Sequence, residues 1–211
     1  MKKPTTKKVK KGKAVNKPVS KSRVKSQTRA KDEPKIEVNK ALKEKMLEIV
    51  SGRQTWDEYY IEIMNVVGKR STCDRGRSGC VIVKDRRLIA SGYIGSPTGC
   101  KHCDEVGHEM HTVIKENGVE SRHCIRTSHA EENAIVQAAK IGISTDGSTL
   151  YCRMTPCYTC AKMIINAGIK RVVAFNDYHA GARSREIFDE AGIEYVLVNN
   201  QLEEYPDQLK K

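Results

Sequence analysis

Apolar positions are unevenly spread along this chain. Up to about residue 35 the sequence is mostly Lys, Thr, Ser, Val and Pro, with no aromatic residue and no apolar period. Such a stretch buries too little to offset the entropy of ordering it, so disorder is expected there. A short helix is predicted around 40–50, and a clearer one starts at Thr55-Trp56-Asp57-Glu58, where Thr and Glu have capping-box spacing. Trp56, Tyr59, Tyr60, Ile63, Met64 and Val67 recur at three- and four-residue steps, which puts one apolar stripe on that helix. Short apolar runs at 80–83 and 88–91 flank the polar residues 84–87, a hairpin signal, and a Gly/Pro loop follows at 92–99.

Residues 100–127 have no steady period and concentrate Cys, His and charge, as expected of an irregular insert braced by something other than an apolar core. Regularity returns with helices predicted at 129–139, 157–167 and 183–191, and strands at 149–154, 171–175 and 195–198. Alternating strands and helices imply an α/β domain with a parallel portion of sheet, which the early hairpin makes mixed. The expected organisation is a basic tail over 1–35 and a folded domain over 50–200.

Charge sharpens that division. The chain carries 38 Lys and Arg against 26 Asp and Glu, a formal +12 over 211 residues. Residues 1–31 hold 13 of those cations and no acid, so the rest of the chain is close to neutral. A basic tail serves nucleic-acid contact, nuclear address or solubility equally well. No apolar run approaches the ~18–20 residues of a membrane span, and nothing near Met1 resembles a secretory signal, so a cytoplasmic protein is expected, with the nucleus left open by the tail. Eight cysteines in such a chain point to metal ligation or catalysis before disulfides.

The chemistry concentrates in His129-Ala130-Glu131 and, after 24 residues, Pro156-Cys157-Tyr158-Thr159-Cys160. Thiolates at i and i+3 in the first turn of a helix face one way, and the positive end of the helix lowers their pKa, so Cys157 and Cys160 suit zinc. His129, at another helix start, supplies a third ligand and leaves the fourth position open, as in catalytic rather than structural zinc sites. Glu131 lies too close to His129 in sequence to share its direction to the metal, and is placed to take a proton from water and return protons to a ring nitrogen and a leaving amine. Either half of this pattern alone is weak; together they are specific.

The paired H-x-E and P-C-x-x-C motifs are the signature of zinc nucleobase deaminases. More narrowly, residues from Trp56 to Val198 resemble the deoxycytidylate (dCMP) deaminases. The likeness runs through Ser71-Thr72-Cys73, Gly92-Tyr93-Ile94-Gly95-Ser96-Pro97, His129 to Ile135, Ala167-Gly168-Ile169-Lys170, Asp177-Tyr178-His179 and Ala191-Gly192-Ile193. It implies a three-layer α/β/α fold with a mixed five-stranded sheet, conversion of dCMP to dUMP and ammonia, catalytic Zn2+ without an organic cofactor, and a homo-oligomer, often a hexamer. It further implies that the backbone around Ala130 and Thr155 addresses the base edge and that Tyr178 helps to enclose the ring. The loop carrying Tyr93 would contact the sugar and a regulatory dCTP.

In that loop Ile94 replaces the family's usual Asn, and its side chain cannot hydrogen-bond. Activation by dCTP, inhibition by dTTP and strict choice of the monophosphate therefore stay open; dCTP becomes an additional candidate substrate, with Mg2+ needed only if a triphosphate binds. Lys140 is a candidate for an effector phosphate. Some relatives hold a second, structural zinc near the irregular insert, for which Cys73, Cys103 and His123 are the preferred ligands and Cys100 and Cys124 compete for the fourth place. The alternative is reduced surface thiols and solvated histidines. Two rival functions remain: a tRNA or single-stranded DNA deaminase, favoured by the basic tail alone, and a non-catalytic zinc protein that binds nucleic acid.

Overall fold

The structure is a computed structural model that describes residues 52–114 and 120–203. The tail over 1–35 and the short helix predicted at 40–50 lie outside the described residues. Helix α1 (Trp56–Gly68) starts where the sequence pattern puts it. The Thr55 Oγ1 accepts from the Glu58 amide at 3.3 Å and the Glu58 carboxylate accepts from the Thr55 amide at 2.7 Å, a complete capping box.

Strands β1 (Gly79–Lys84) and β2 (Arg87–Tyr93) form the expected antiparallel hairpin. Short helix α2 (Cys103–Val106) follows, then β3 (Met110–Ile114) and β4 (Glu120–Cys124), which pair as a separate two-stranded sheet. The insert expected to be irregular is thus partly ordered as a hairpin. Met110, His111, Thr112 and Arg122 do not alternate apolar with polar, because this ribbon has little core beneath it, so the usual strand signal is missing.

Beyond it, α3 (Ala130–Lys140), β5 (Thr149–Met154), α4 (Tyr158–Asn166), β6 (Arg171–Tyr178), α5 (Ala182–Glu190) and β7 (Glu194–Leu197) follow the predicted order, and β8 (Leu202–Glu203) is a short addition. The main path is the mixed five-stranded order β2-β1-β5-β6-β7, with β8 beside the end of β6. Strands β5, β6 and β7 are parallel, and β1 is antiparallel to both β2 and β5.

Strand period divides the core into two faces. Val81, Val83, Tyr151 and Val173 point to α1, where they pack on Tyr60, Ile61 and Met64. Cys80, Ile82, Leu150, Cys152, Val172 and Ala174 point the other way, against Ala134, Ala138, Ala161, Ile164 and Phe188 of α3, α4 and α5. The layers are therefore α1, sheet, and α3–α5. Cys80 and Cys152 face each other in register, fully buried, and burial pushes both thiols far up, so they are packing residues.

One contact fixes where α3 starts. A Cβ on Gly92 would overlap the Ala130 carbonyl oxygen and the Ala134 nitrogen, so the absence of a side chain lets the first turn of α3 rest on β2.

Candidate functional site

The N-termini of α3 and α4 meet at the carboxyl end of β5, the usual place for a site in a parallel sheet. His129 is the N-cap of α3 and Cys157 the N-cap of α4, and neither side chain makes a capping bond. The His129 Nδ1 lies 3.5 Å from the Cys157 Sγ and 3.4 Å from the Cys160 Sγ. These three donors lie within 4.8 Å of one another.

The spacing of the acids separates their tasks. Glu132, at the third helical position, accepts from the His129 amide at 2.8 Å and completes the cap. Glu131, one residue earlier, is buried and lines a cavity of about 90 Å³ together with His129 and Cys157.

The electrostatics favour a metal. A hydrogen bond from the Cys160 thiol, with His129 beside it, holds Cys157 down to about 4 despite burial. Cys160 is pushed up by its hydrogen bond to Cys157 and by burial. One thiolate is thus present at neutral pH, and a dication would draw off the second proton. The hydrogen bond to Cys157 raises His129 to about 9. Burial lifts Glu131 to about 7, with His129 opposing it. Two sulfurs and one imidazole nitrogen, with no fourth protein donor in the group, fit a zinc ion with one position open to water.

Behind the cavity the Thr155 Oγ1 donates to Asp177 at 2.6 Å and lies 2.8 Å from the Tyr195 hydroxyl. Asp177 also accepts from Arg185 at 2.6 Å and from the Tyr178 amide at 2.8 Å. The Thr155 hydroxyl is therefore turned away from the cavity, and its amide is bonded to the Asn176 carbonyl at 3.0 Å. Tyr178, at the end of β6, lines the cavity.

A second donor group comprises Cys73, Cys103, His108 and Cys124. The Cys73 Sγ is 3.6 Å from the His108 Nδ1, the Cys103 Sγ is 3.7 Å from the Cys124 Sγ, and the His108 Nε2 lies 3.0 Å from Asp74. Burial raises Cys73 and carries Cys103 to about 12; at Cys124 burial is outweighed by the Arg126 and Glu109 backbone bonds, which bring it to about 7. Four donors of this kind, with a carboxylate behind the imidazole, suit a closed structural zinc site.

The structure brings together His129, Glu131, Cys157 and Cys160, and it brings Cys73 to Cys103. His123 is not in the second group. Its Nε2 lies 2.9 Å from the Ser121 Oγ, a contact within β4 that engages the ring nitrogen, and His108 stands in its place beside Cys73. Cys100 is exposed and outside the group, and Cys124 is the fourth donor. Tyr93 is not a cavity residue: Ile94 lines the wall, while the Tyr93 carbonyl accepts from Asn133 at 2.8 Å. Ala130 is buried in the core at the first turn of α3, leaving only its backbone for a ligand. Lys140 is exposed at the far end of α3, about 16 Å along the helix from His129.

Arg75, which the motif reading passed over, lines the cavity with a buried Nη2 that has no partner among the described residues. Arg122 shares that wall. The only sequence signal for Arg75 was its nearness to Cys73.

Residues 54–176 match the family described as the cytidine and deoxycytidylate deaminase zinc-binding region. ComE operon protein 2 of Bacillus subtilis is 42% identical over 141 residues, covering 67% of this chain and 70% of that protein. The deoxycytidylate deaminase of Schizosaccharomyces pombe is 35% identical over 153 residues, covering 71% of this chain but 47% of the yeast protein, so this chain spans about half the length of that relative. Among solved structures, dCMP deaminase from the cyanophage S-TIM5, in complex with dCMP and dUMP, is 32% identical with a TM-score of 0.55, covering 66% of this chain and 94% of that one. With the motifs, the fold and the converging donors, the match is sufficient: the chain belongs to the cytidine and deoxycytidylate deaminase zinc-binding family.

Proposed function

We propose that this chain deaminates dCMP hydrolytically to dUMP and ammonia. The observation that carries the reading is the meeting of the His129 Nδ1 with two cysteine sulfurs at 3.5 and 3.4 Å beside a buried Glu131. It is supported by the likeness to deoxycytidylate deaminases from yeast and phage. When bound by His129, Cys157 and Cys160, zinc supplies a Lewis acid that lowers the pKa of water from 15.7 to ~7. Glu131 takes one proton from the attacking water and passes it to N3 of the cytosine ring, then takes the water's second proton and delivers it to the amine, which leaves as ammonia as the C4–N bond breaks. Its raised pKa suits a group that must both accept and donate near neutrality. Tyr178 closes the cavity over the base, and the buried Nη2 of Arg75 binds the nucleotide phosphate.

Cys73, Cys103, His108 and Cys124 hold a second, structural zinc that braces the β3–β4 ribbon and the loop before β1. The folded unit of 50–200 works as an oligomer. Ile94 on the cavity wall leaves room for dCTP as an additional substrate. A spectrophotometric assay of the full chain on dCMP, dCTP and single-stranded DNA, with and without dTTP, tests the reading. Turnover of dCMP is expected. Turnover of DNA cytosine with dCMP left intact would replace it with a polynucleotide deaminase, and no turnover on any of them would leave a zinc protein without this catalysis.

A further inference from the structure

The hairpin turn at the opposite end of β1 from the cavity builds a second surface. Asp85 and Arg86 both adopt left-handed backbone conformations, with φ of 50° and 59°, at positions where glycine and asparagine are favoured. The turn nevertheless carries an arginine, and it sets the Arg86 guanidinium 5.4 Å from the Trp56 ring centre. Trp56, Tyr59 and Tyr60 pack on one another with centroids 5.0–6.0 Å apart. Trp56 and Tyr59 remain 49% and 44% exposed, large values for aromatic residues on a helix that already buries its other face. These rings form a groove of about 650 Å³ with Arg53, Arg86, Arg87 and Leu88. None of the three arginines makes an ion pair among the described residues. Of the nearby acids, Asp57 is held by Arg171 and Glu58 by the helix cap, Glu62 accepts from Gln54 at the rim, and Asp85 is exposed in the turn itself.

We propose that the groove of Trp56, Tyr59, Arg53, Arg86 and Arg87 binds single-stranded nucleic acid, with bases stacked on the exposed rings and phosphates held by the guanidinium groups. Aromatic platforms bordered by cations, some of them resting on the rings, are how proteins hold single strands without reading their sequence. Duplex DNA fits poorly, because its bases are already stacked. The groove lies about 17 Å along β1 from Ser78 on the cavity wall, so the bases stacked here are not the ones that occupy the catalytic cavity.

Trp56 is the only tryptophan in the chain, so its emission reports on the groove directly. Full-length protein is titrated with a 15-nucleotide oligothymidylate while Trp56 fluorescence and oligonucleotide anisotropy are followed across a salt series. Saturable quenching is expected, weakening as salt rises, with duplex DNA of the same length giving little quenching. The Arg86→Gly, Arg87→Gln double variant removes two cations, and glycine suits the left-handed backbone at 86, so the fold is kept. It should lower the salt slope by about 0.7 for each phosphate that is no longer neutralised and reduce the quenching, with dCMP turnover unchanged. The proposal is overturned by any of four results: anisotropy binding without Trp56 quenching, which places the strand elsewhere; quenching equal in the double variant; binding displaced by dCMP, which places it in the catalytic cavity; or an emission change with protein concentration alone, which shows that a second copy covers the groove.

Discussion

Replacing Gly92 with alanine tests how the fold sets its active site. The new methyl would stand 3.0 Å from the Ala134 Cα and closer still to the Ala130 carbonyl oxygen and the Ala134 nitrogen, whereas ordinary Cβ contact begins at 3.4 Å. All three atoms belong to backbone in the first turns of α3, so nothing flexible can yield, and the helix start must move by several tenths of an ångström or more. Overpacking of this kind costs about 1–3 kcal/mol. For a body of this size that is a fall in Tm of about 3–10 °C. The larger consequence is catalytic, because His129 and Glu131 ride on the same turn, and a misplacement approaching ~1 Å typically costs ~10²-fold in rate. Thermal unfolding and kcat/KM on dCMP are measured side by side, with zinc content by metal analysis. A variant with the wild-type Tm and full turnover would refute the idea that Gly92 positions α3.

Other consequences are as specific. Arg75→Gln should raise KM for dCMP by about 10–100-fold, the loss of one charged hydrogen bond, with deoxycytidine turnover little changed; equal effects on both substrates would remove the phosphate from Arg75. Cys103→Ser should cut zinc from two to one per chain and lower Tm while leaving some dCMP turnover, and a single zinc in the unaltered protein would eliminate the second site. Asp57 accepts from Arg171 Nη1 and Nη2 and from the Tyr151 hydroxyl, all at 2.8 Å, and the Arg171 bond holds its pKa below 3.8 in the folded chain. A depressed carboxylate stabilises the fold above its unfolded pKa and loses that contribution as pH falls through the folded one. The Tm gap between the wild type and Asp57→Asn should therefore be full near neutrality and close below about pH 4; a gap that widens in acid would reverse the assignment.

Much of this arrangement is legible in the sequence because single residues force it. The Thr55–Glu58 box locates the start of α1, and the strands and helices from 129 onward alternate with clear periods. The proposed zinc group is readable because His129, Cys157 and Cys160 all sit at helix starts, where spacing determines direction. Elsewhere the determining contacts are distant in sequence. His108 reaches Cys73 across 35 positions from the irregular loop between α2 and β3, so nothing local prefers it to His123. The same is true of Tyr93 and Ile94: the hairpin decides which of two neighbours faces the cavity, and sequence alone does not say which side of the strand is the wall. Arg75 has no motif because a buried, unpartnered guanidinium nitrogen is defined by what surrounds it.

The proposed deamination rests on Glu131 moving protons beside a zinc ion held by His129, Cys157 and Cys160. Its most direct measurement compares dCMP turnover and zinc content in the wild type and in Glu131→Gln, which keeps the shape of the side chain and removes its ability to carry the proton. Loss of at least ~10²-fold in kcat with zinc fully retained is the predicted result. Wild-type turnover in the glutamine variant would contradict the account.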